Sequence, residues 1–333
     1  MFLEDEGYRV ELLPIRFSRR LPAYHRSAIR EIRGLLGSGG LRMEADEVCV
    51  LATEPFYPVA RVWNRSVILF FGNSPPLGLG WKGKLNYAYA TMSQMLGSLP
   101  AAKLIMPCSY FLQGSLPAFS QRKAVVLYPG VDHYDRWTPT DEETLQFRRN
   151  LGVKDDEAVL FHAGRLNTVF QPYKGLNELV SHFQSLRSAR SGLHLIVAGY
   201  GDDRDESLLK EQGVIVFRNA PRNRMPLLFR ACDIYCTASR WEGFDLPLAE
   251  AQHFGKPVIA YEIGAHHEVV SSSDSGYLVE NPAAFRSTLE FMVDNRPWCR
   301  EMGDRGRQRV ARFRWRYSVE TLESHLLKVF GGS

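Results

Sequence analysis

The sequence predicts an α/β protein built from two doubly wound parallel-sheet domains. Three observations lead there. The chain has 333 residues, too many for one ordinary domain and suited to two of about 150 each. Its second half alternates short apolar runs with helical patterns at regular intervals, the order that builds a parallel sheet. And the stretch Ser239-Arg-Trp-Glu-Gly-Phe-Asp-Leu-Pro-Leu-Ala-Glu-Ala runs from the end of one apolar run, through a tight acidic turn, into a helix that ends at Gly255. That turn falls at the carboxyl edge of a sheet, where open α/β folds bind ligands.

The individual elements follow from the same patterns. In the second half, 158–162, 193–198, 214–217, 233–237, 257–260 and 277–279 read as strands, short and apolar as buried parallel strands are. In the first half, 8–15, 47–53, 66–71 and 103–106 read as strands, and Pro129-Gly130 is a turn by its own chemistry. Polar residues 138–143 then suggest a boundary, placed near residue 150. Residues 16–37 carry six arginines among apolar side chains, which fits a basic amphipathic helix able to rest on anionic lipid headgroups and fits an ordinary solvated surface helix equally well.

Composition narrows the function classes. A hydrophobic content of 45% and a charged content of 23% are those of a globular protein with a sizeable core. A net charge of +4 gives no bulk signal for nucleic acid. Five cysteines without a C-x-x-C pair read as buried reduced thiols. No apolar run has the length of a bilayer span, and the first residues are acidic where a signal peptide is basic, so a cytoplasmic protein is expected.

The chemistry sits at the strand ends. Glu242 lies in the acidic turn and Glu250 on the first turns of the following helix, so both carboxylates can face one cavity. Carboxylates make paired hydrogen bonds to vicinal hydroxyls, which makes a sugar or ribose the natural guest. The helix also starts with Gly243, Phe244, Asp245 and Leu246, whose N–H groups would favour an anion. The strand over 158–162 leads into Gly164-Arg165, and Tyr173-Lys174-Gly175 opens the next helix; Arg165 with its fork and Lys174 as a point charge can neutralise a diphosphate. Gly199-x-Gly201 lacks the third glycine of a dinucleotide fingerprint. The run Gly264-Ala-His-His-Glu268 has too few donors facing one way for a metal site.

Glu242 and Glu250 within Glu-Gly-Phe-x-Leu-Pro-x-x-Glu-Ala resemble the signature of retaining glycosyltransferases of family 4. The resemblance implies the GT-B architecture, two Rossmann-like domains facing a cleft. It is strong over 124–330 and thin before that, and it implies a further strand over 123–128 that ends in the Pro-Gly-Val-Asp turn at 129–132. It implies an acceptor-side domain over 1–149, a nucleotide-sugar domain over 150–333 and a terminal helix over 315–330 crossing back. Met1–Glu6 look like the tail of a helix that follows a strand and a glycine-rich loop in such chains, so the first domain reads as shortened. Gly72 and Asn73 stand where the family often has a histidine.

The function implied is transfer of a sugar from a nucleoside diphosphate sugar to a hydroxyl acceptor, glycan, lipid-linked or small molecule, with retention. Glu242 would hold hydroxyls of the donor sugar, Glu250 the ribose, Arg165 and Lys174 the diphosphate, and Phe217, Arg218 and Asn219 would bracket the base. No cofactor and no metal are implied, and no Asp-x-Asp lies in a suitable loop. Asp245 departs from the glycine usual there; its carboxylate would repel phosphate unless it turns to cap the helix. Two rival readings are a non-catalytic nucleotide-sugar-binding subunit, and an epimerase or phosphorylase on a similar architecture.

Overall fold

The computed structural model describes residues 47–52, 54–73, 80–167 and 171–331, together with Arg30, Glu31 and Gly34. The strand expected over 8–15 and most of the basic helix expected over 16–37 lie outside the described residues. The chain forms two compact units. One takes the described residues up to Phe70 with Trp81–Met106 and Leu116–Ala124; the other takes Phe71–Gly80, Pro107–Ser115 and the chain from Val125 onward.

The first unit carries strands β1 (Cys49–Leu51), β2 (Ser66–Phe70) and β3 (Leu104–Pro107) in the order β1-β2-β3, with β1 and β2 parallel. Val67 and Ile68 are adjacent and both fully buried, so both faces of β2 are covered, as parallel sheets require. A 3-10 helix, Glu54–Arg61, and helices α1 (Trp81–Ser93), α2 (Leu99–Ala101), and α4 (Ala118–Gln121) belong to this unit, while α3 (Tyr110–Ser115) belongs to the second. The strand expected over 123–128 shrinks to a single bridge between Ile105 and Ala124.

The second unit is a six-stranded sheet of order β6-β5-β4-β7-β8-β9, parallel throughout. Its strands are β4 (Ala158–Arg165), β5 (Leu193–Tyr200), β6 (Ile215–Arg218), β7 (Ile234–Cys236), β8 (Val258–Tyr261) and β9 (Tyr277–Val279). The winding runs outward from β4 through β5 to β6, then returns to the other side of β4 for β7. The order therefore reverses between β4 and β7, and a crevice must open at their carboxyl ends.

Helices α5 (Asp141–Asn150), α6 (Leu176–Ala189), α7 (Asp203–Glu211), α8 (Met225–Ala231), α9 (Leu246–His253), α10 (His266–Val269), α11 (Pro282–Asp294), α12 (Arg296–Val310) and α13 (Trp315–Phe330) complete it. Leu160, Leu195 and Val197 of the sheet pack with Phe183 of α6 and Phe285 of α11 in one core.

Residues 125–149, which the sequence reading assigns to the first domain, group with this unit. The polar 138–143 stretch caps a helix here: Thr140 and Glu143 form a reciprocal capping box for α5. From α5, Arg148 reaches the carbonyls of Ala231 and Glu157 at 2.7 and 2.8 Å and the Asp233 carboxylate at 3.1 Å. The first turn of α13 is tied down in the same unit, Trp315 N–H donating to Asp132 at 3.0 Å and Ser318 Oγ to the Tyr128 carbonyl at 2.6 Å. Among the described residues no helix is long and apolar enough to cross a membrane.

Candidate active site

A cavity of about 560 Å³ opens at the carboxyl ends of β4, β5 and β7, within the range of small-molecule sites. Close backbone approaches shape it. A side chain on Gly199 would fall 1.5 Å from the Gly164 carbonyl of the neighbouring strand; these glycines let β4 and β5 meet. Gly175 stands at φ +67, where a Cβ would lie 2.0 Å from the Ala238 carbonyl. With Arg240 N–H donating to the Tyr173 carbonyl at 2.6 Å, residues 173–175 are stitched to 238–240, and Lys174 is delivered to the acidic turn.

There its ammonium meets Glu242 Oε1 at 2.7 Å. Burial works against the Lys174 charge, but Glu242 and Asp245 hold its pKa above the usual lysine value. Burial, with the Asp245 carboxylate beside it, pushes the Glu242 carboxyl up, and Lys174 opposes this. Arg165 is exposed at the cavity wall and, among the described residues, makes no ion pair. Its charge stays available to a ligand.

Asp245 begins α9 at φ 65 and ψ 73, a left-handed conformation that aspartate tolerates better than most residues. Its Oδ1 accepts the Leu248 N–H at 3.3 Å and its Oδ2 faces His266 Nε2 at 3.1 Å. The expectation that Asp245 turns to cap the helix is met by this geometry. It has a consequence for anion binding, because Pro247 has no N–H and that of Leu248 is taken. Of the first three residues of α9, only Leu246 keeps an N–H for a ligand.

At the other end, Glu250 is 4% exposed and bonded to His133 Nε2 at 3.0 Å. The Trp315 indole, which can only donate, points at His133 Nδ1 from 3.4 Å. Nδ1 is thus the acceptor, and Nε2 carries the proton given to Glu250. Tyr134 lines the same end, its phenol pushed up by burial and by the Glu250 charge.

Near Lys174 and Asp245 stands His162, 2% exposed, its Nδ1 3.0 Å from the Cys236 carbonyl. A carbonyl only accepts, so Nδ1 holds the proton and Nε2 offers a lone pair without a partner among the described residues. Burial pushes this histidine down, toward the neutral ring.

Of the residues expected at the site, the fold brings Gly164, Arg165, Lys174, Asn219, Glu242, Asp245, Leu246 and Glu250 to one cavity. Four others lie off its wall. Phe217 turns toward α5, its ring 5.8 Å from that of Phe147. Arg218 bridges Asp203 and Glu206 of α7 at 2.6 and 2.7 Å. Phe244 is buried against Tyr128 and Phe313, and Gly243 passes so close to the Phe71 carbonyl that a Cβ would lie 2.9 Å away. The Gly264–Glu268 turn is also engaged by the protein: Glu268 accepts from Tyr110 N–H and Phe111 N–H at 2.9 Å each and from the Tyr128 hydroxyl at 2.5 Å. Asn73 lies among the residues before 74–79, and the described structure assigns it no place on the cavity wall.

His133, His162, His266, Tyr134 and Arg222 are the contributors that sequence reasoning missed. A signal existed for two of them: His266 lies in the Gly264–Glu268 run weighed as a metal site, and His133 has a turn before it. Pro129-Gly130-Val131-Asp132 is a recognisable turn, and His133 follows it directly.

Two parallel-sheet α/β units, the second with its cavity at the topological switch point, define a GT-B protein. The model of the family described as glycosyl transferases group 1 matches residues 143–309, half of the chain, and the chain belongs to that family. Among curated proteins it is 31% identical over 215 residues to D-inositol 3-phosphate glycosyltransferase of Corynebacterium aurimucosum, covering 60% of this chain and 50% of that one. The enzyme of the same name from Stackebrandtia nassauensis is 32% identical over 218 residues, covering 60% and 47%. The chain thus spans about half the length of the curated relatives it matches. Among solved structures, sucrose-phosphate synthase from Thermosynechococcus elongatus superposes with a TM-score of 0.76 at 16% identity, covering 98% of this chain and 83% of that one. Anabaena HepE in complex with UDP and glucose gives 0.72 at 17%, covering 98% and 88%. At these identities the structural likeness speaks to the fold.

Proposed function

We propose that the chain moves a sugar from a nucleoside diphosphate sugar to a hydroxyl acceptor, keeping the anomeric configuration. The observation that carries this reading is the cavity itself, with Lys174 and Arg165 at one end and Glu250 at the other. A diphosphate suits the cationic end, and vicinal ribose hydroxyls suit a buried carboxylate. In the reaction the bond from C1 of the sugar to the diphosphate oxygen breaks, a bond from C1 to the acceptor oxygen forms on the same face, and the acceptor proton passes to the departing diphosphate or to solvent. Negative charge grows on the diphosphate as the bond breaks, and Lys174 and Arg165 are placed to stabilise it. Glu242, on the other side of Lys174, is assigned to hydroxyls of the sugar. Asn219 and Arg222 stand at the cavity edge for the base.

Neither a cofactor nor a metal is part of this proposal, because the cationic role falls to side chains. D-Inositol 3-phosphate, the acceptor named for the curated relatives, is the first acceptor to try. Cytoplasmic location and contact of residues 16–37 with a membrane are proposals of the same standing.

The test is incubation with a panel of nucleoside diphosphate sugars, with release of the nucleoside diphosphate followed by chromatography and the product anomer read by NMR. Retained configuration supports the reading. An inverted product removes retention, and tight nucleotide binding without turnover under any condition favours the non-catalytic binding subunit.

A further inference from the structure

Asp245 presents a problem that the rest of the site does not explain. It lines the cavity and is 8% exposed. It stands where a helix start would otherwise favour an anion. An uncompensated carboxylate there would oppose an incoming diphosphate. The nearest cation in sequence, Arg240, is taken by Glu178, but the fold brings His266 from twenty-one residues away.

The hydrogen bonds fix the protons on that pair. His266 is fully buried, with Nδ1 2.6 Å from the Tyr261 carbonyl and Nε2 3.1 Å from Asp245 Oδ2. A carbonyl cannot donate, so Nδ1 carries a proton. A bare carboxylate oxygen and a bare ring nitrogen at 3.1 Å would set two lone pairs against each other, so a second proton lies between them. Asp245 and His266 together then carry no net charge. Lys174 and Glu242 form the adjacent neutral pair. His162 and Tyr235, the other titratable groups near Asp245, are neutral: His162 by its bond to Cys236 and its burial, and the Tyr235 phenol because burial, with the Asp245 charge beside it, pushes it well up. Of the charged groups on this side of the cavity, Arg165 is the one left over, and it is positive.

The turn carrying His266 is built for this register. Gly264 has φ +49, and a Cβ on it would lie 2.3 Å from the Glu242 carbonyl. Ala265 N–H donates to that same carbonyl at 3.3 Å. The backbone that holds Glu242 therefore also sets His266 against Asp245.

We propose that His266 is a positioning residue for donor binding: as an imidazolium it pairs with Asp245, cancels its charge and holds it as the cap of α9, so that a diphosphate can approach the Lys174 side of the cavity. The inference rests on the proposed function, since it takes the ligand to be a nucleoside diphosphate. Burial pulls the His266 pKa down, but Asp245 more than offsets this and holds it above the ordinary histidine value; Asp245 lies below its own ordinary value because the His266 bond and charge outweigh its burial.

The test is a double-mutant cycle read by calorimetric titration with UDP, GDP and ADP on the full chain. H266Q should weaken binding of the preferred nucleotide at least tenfold when Asp245 is present, and less than about twofold in a D245G background, where no carboxylate needs a partner. Glycine suits the left-handed position. Equal losses in both backgrounds would make His266 a packing residue and overturn the inference alone. If the parent binds none of the three nucleotides, the proposed function fails and this inference fails with it. A second measurement does not depend on the variants folding: in the ligand-free parent labelled with ¹⁵N-histidine, the His266 ring should show both nitrogens protonated at pH 7. A singly protonated ring would overturn the ion pair.

Discussion

The two ends of the cavity hold their carboxylates in different ways. At the Lys174 end, Glu242 and Asp245 are each matched with a cationic partner, at 2.7 and 3.1 Å, and all four groups belong to a buried or half-buried cluster. At the Glu250 end the partner is His133, a neutral donor by the logic of its hydrogen bonds, with 29% of its side chain exposed. The first arrangement costs desolvation of several charges and returns it only if every partner stays in place. The second keeps one full negative charge ready for hydroxyl donors. The contrast suggests that the Lys174 end is sensitive to any single deletion, and the Glu250 end to the loss of Glu250 above all.

The harshest way to test this is Lys174→Ala. It strands the Glu242 carboxylate and removes a charge facing the leaving group, and turnover with saturating donor should fall about 10²- to 10³-fold. Wild-type turnover would show that the diphosphate sits elsewhere. Glu250→Ala comes next, with nucleotide affinity weakened by roughly 1.5–3 kcal/mol for a charge-assisted bond. Unchanged calorimetric affinity for every nucleotide would remove Glu250 from the site. His133→Phe keeps the ring and loses the proton given to Glu250, so about 1 kcal/mol of affinity should go. A loss as large as that of Glu250→Ala would mean that the two ends are equally brittle.

The Asp245–His266 pair should also respond to pH. His266 titrates above its ordinary 6.5 in the folded chain, so its contribution to stability is complete below that value and is lost as pH rises through the folded pKa. Asp245 titrates below its ordinary 3.8, so its contribution is complete above that value and is lost as pH falls through the folded pKa. The pair therefore stabilises most between the two, and melting temperatures of parent and His266→Gln should converge outside that window. The smallest effect expected is none: excess chelator should leave turnover nearly intact. Abolition by chelator, restored by magnesium or manganese, would replace the side-chain account of the diphosphate end.

The carboxylates and cations along the cavity were the more legible from sequence, and the reason is local. Arg165, Lys174, Glu242 and Glu250 sit where a strand ends or a helix begins, and residue pattern marks such places. The histidines were not legible, because each acts through a partner distant in the chain: His133 with Glu250, His162 with Cys236, His266 with Asp245. Phe217 and Arg218 show the reverse case. Their place at the end of β6 was right, but which way their side chains point was decided by Phe147 on α5 and by Asp203 and Glu206 on α7. The unit boundary escaped for a similar reason, since the anchoring of α5 by Arg148 involves carbonyls far along the chain.

The indole of Trp315 is bonded to the imidazole that holds Glu250, and it is itself 44% exposed. A fluorophore is thereby wired to the ribose end of the cavity without any label. A hydroxyl that donates to Glu250 would compete with His133 for that carboxylate and so alter the surroundings of the indole. Replacing the other tryptophans with phenylalanine would leave Trp315 as an optical gauge of nucleotide occupancy, readable in a stopped-flow cell on the time scale of binding itself.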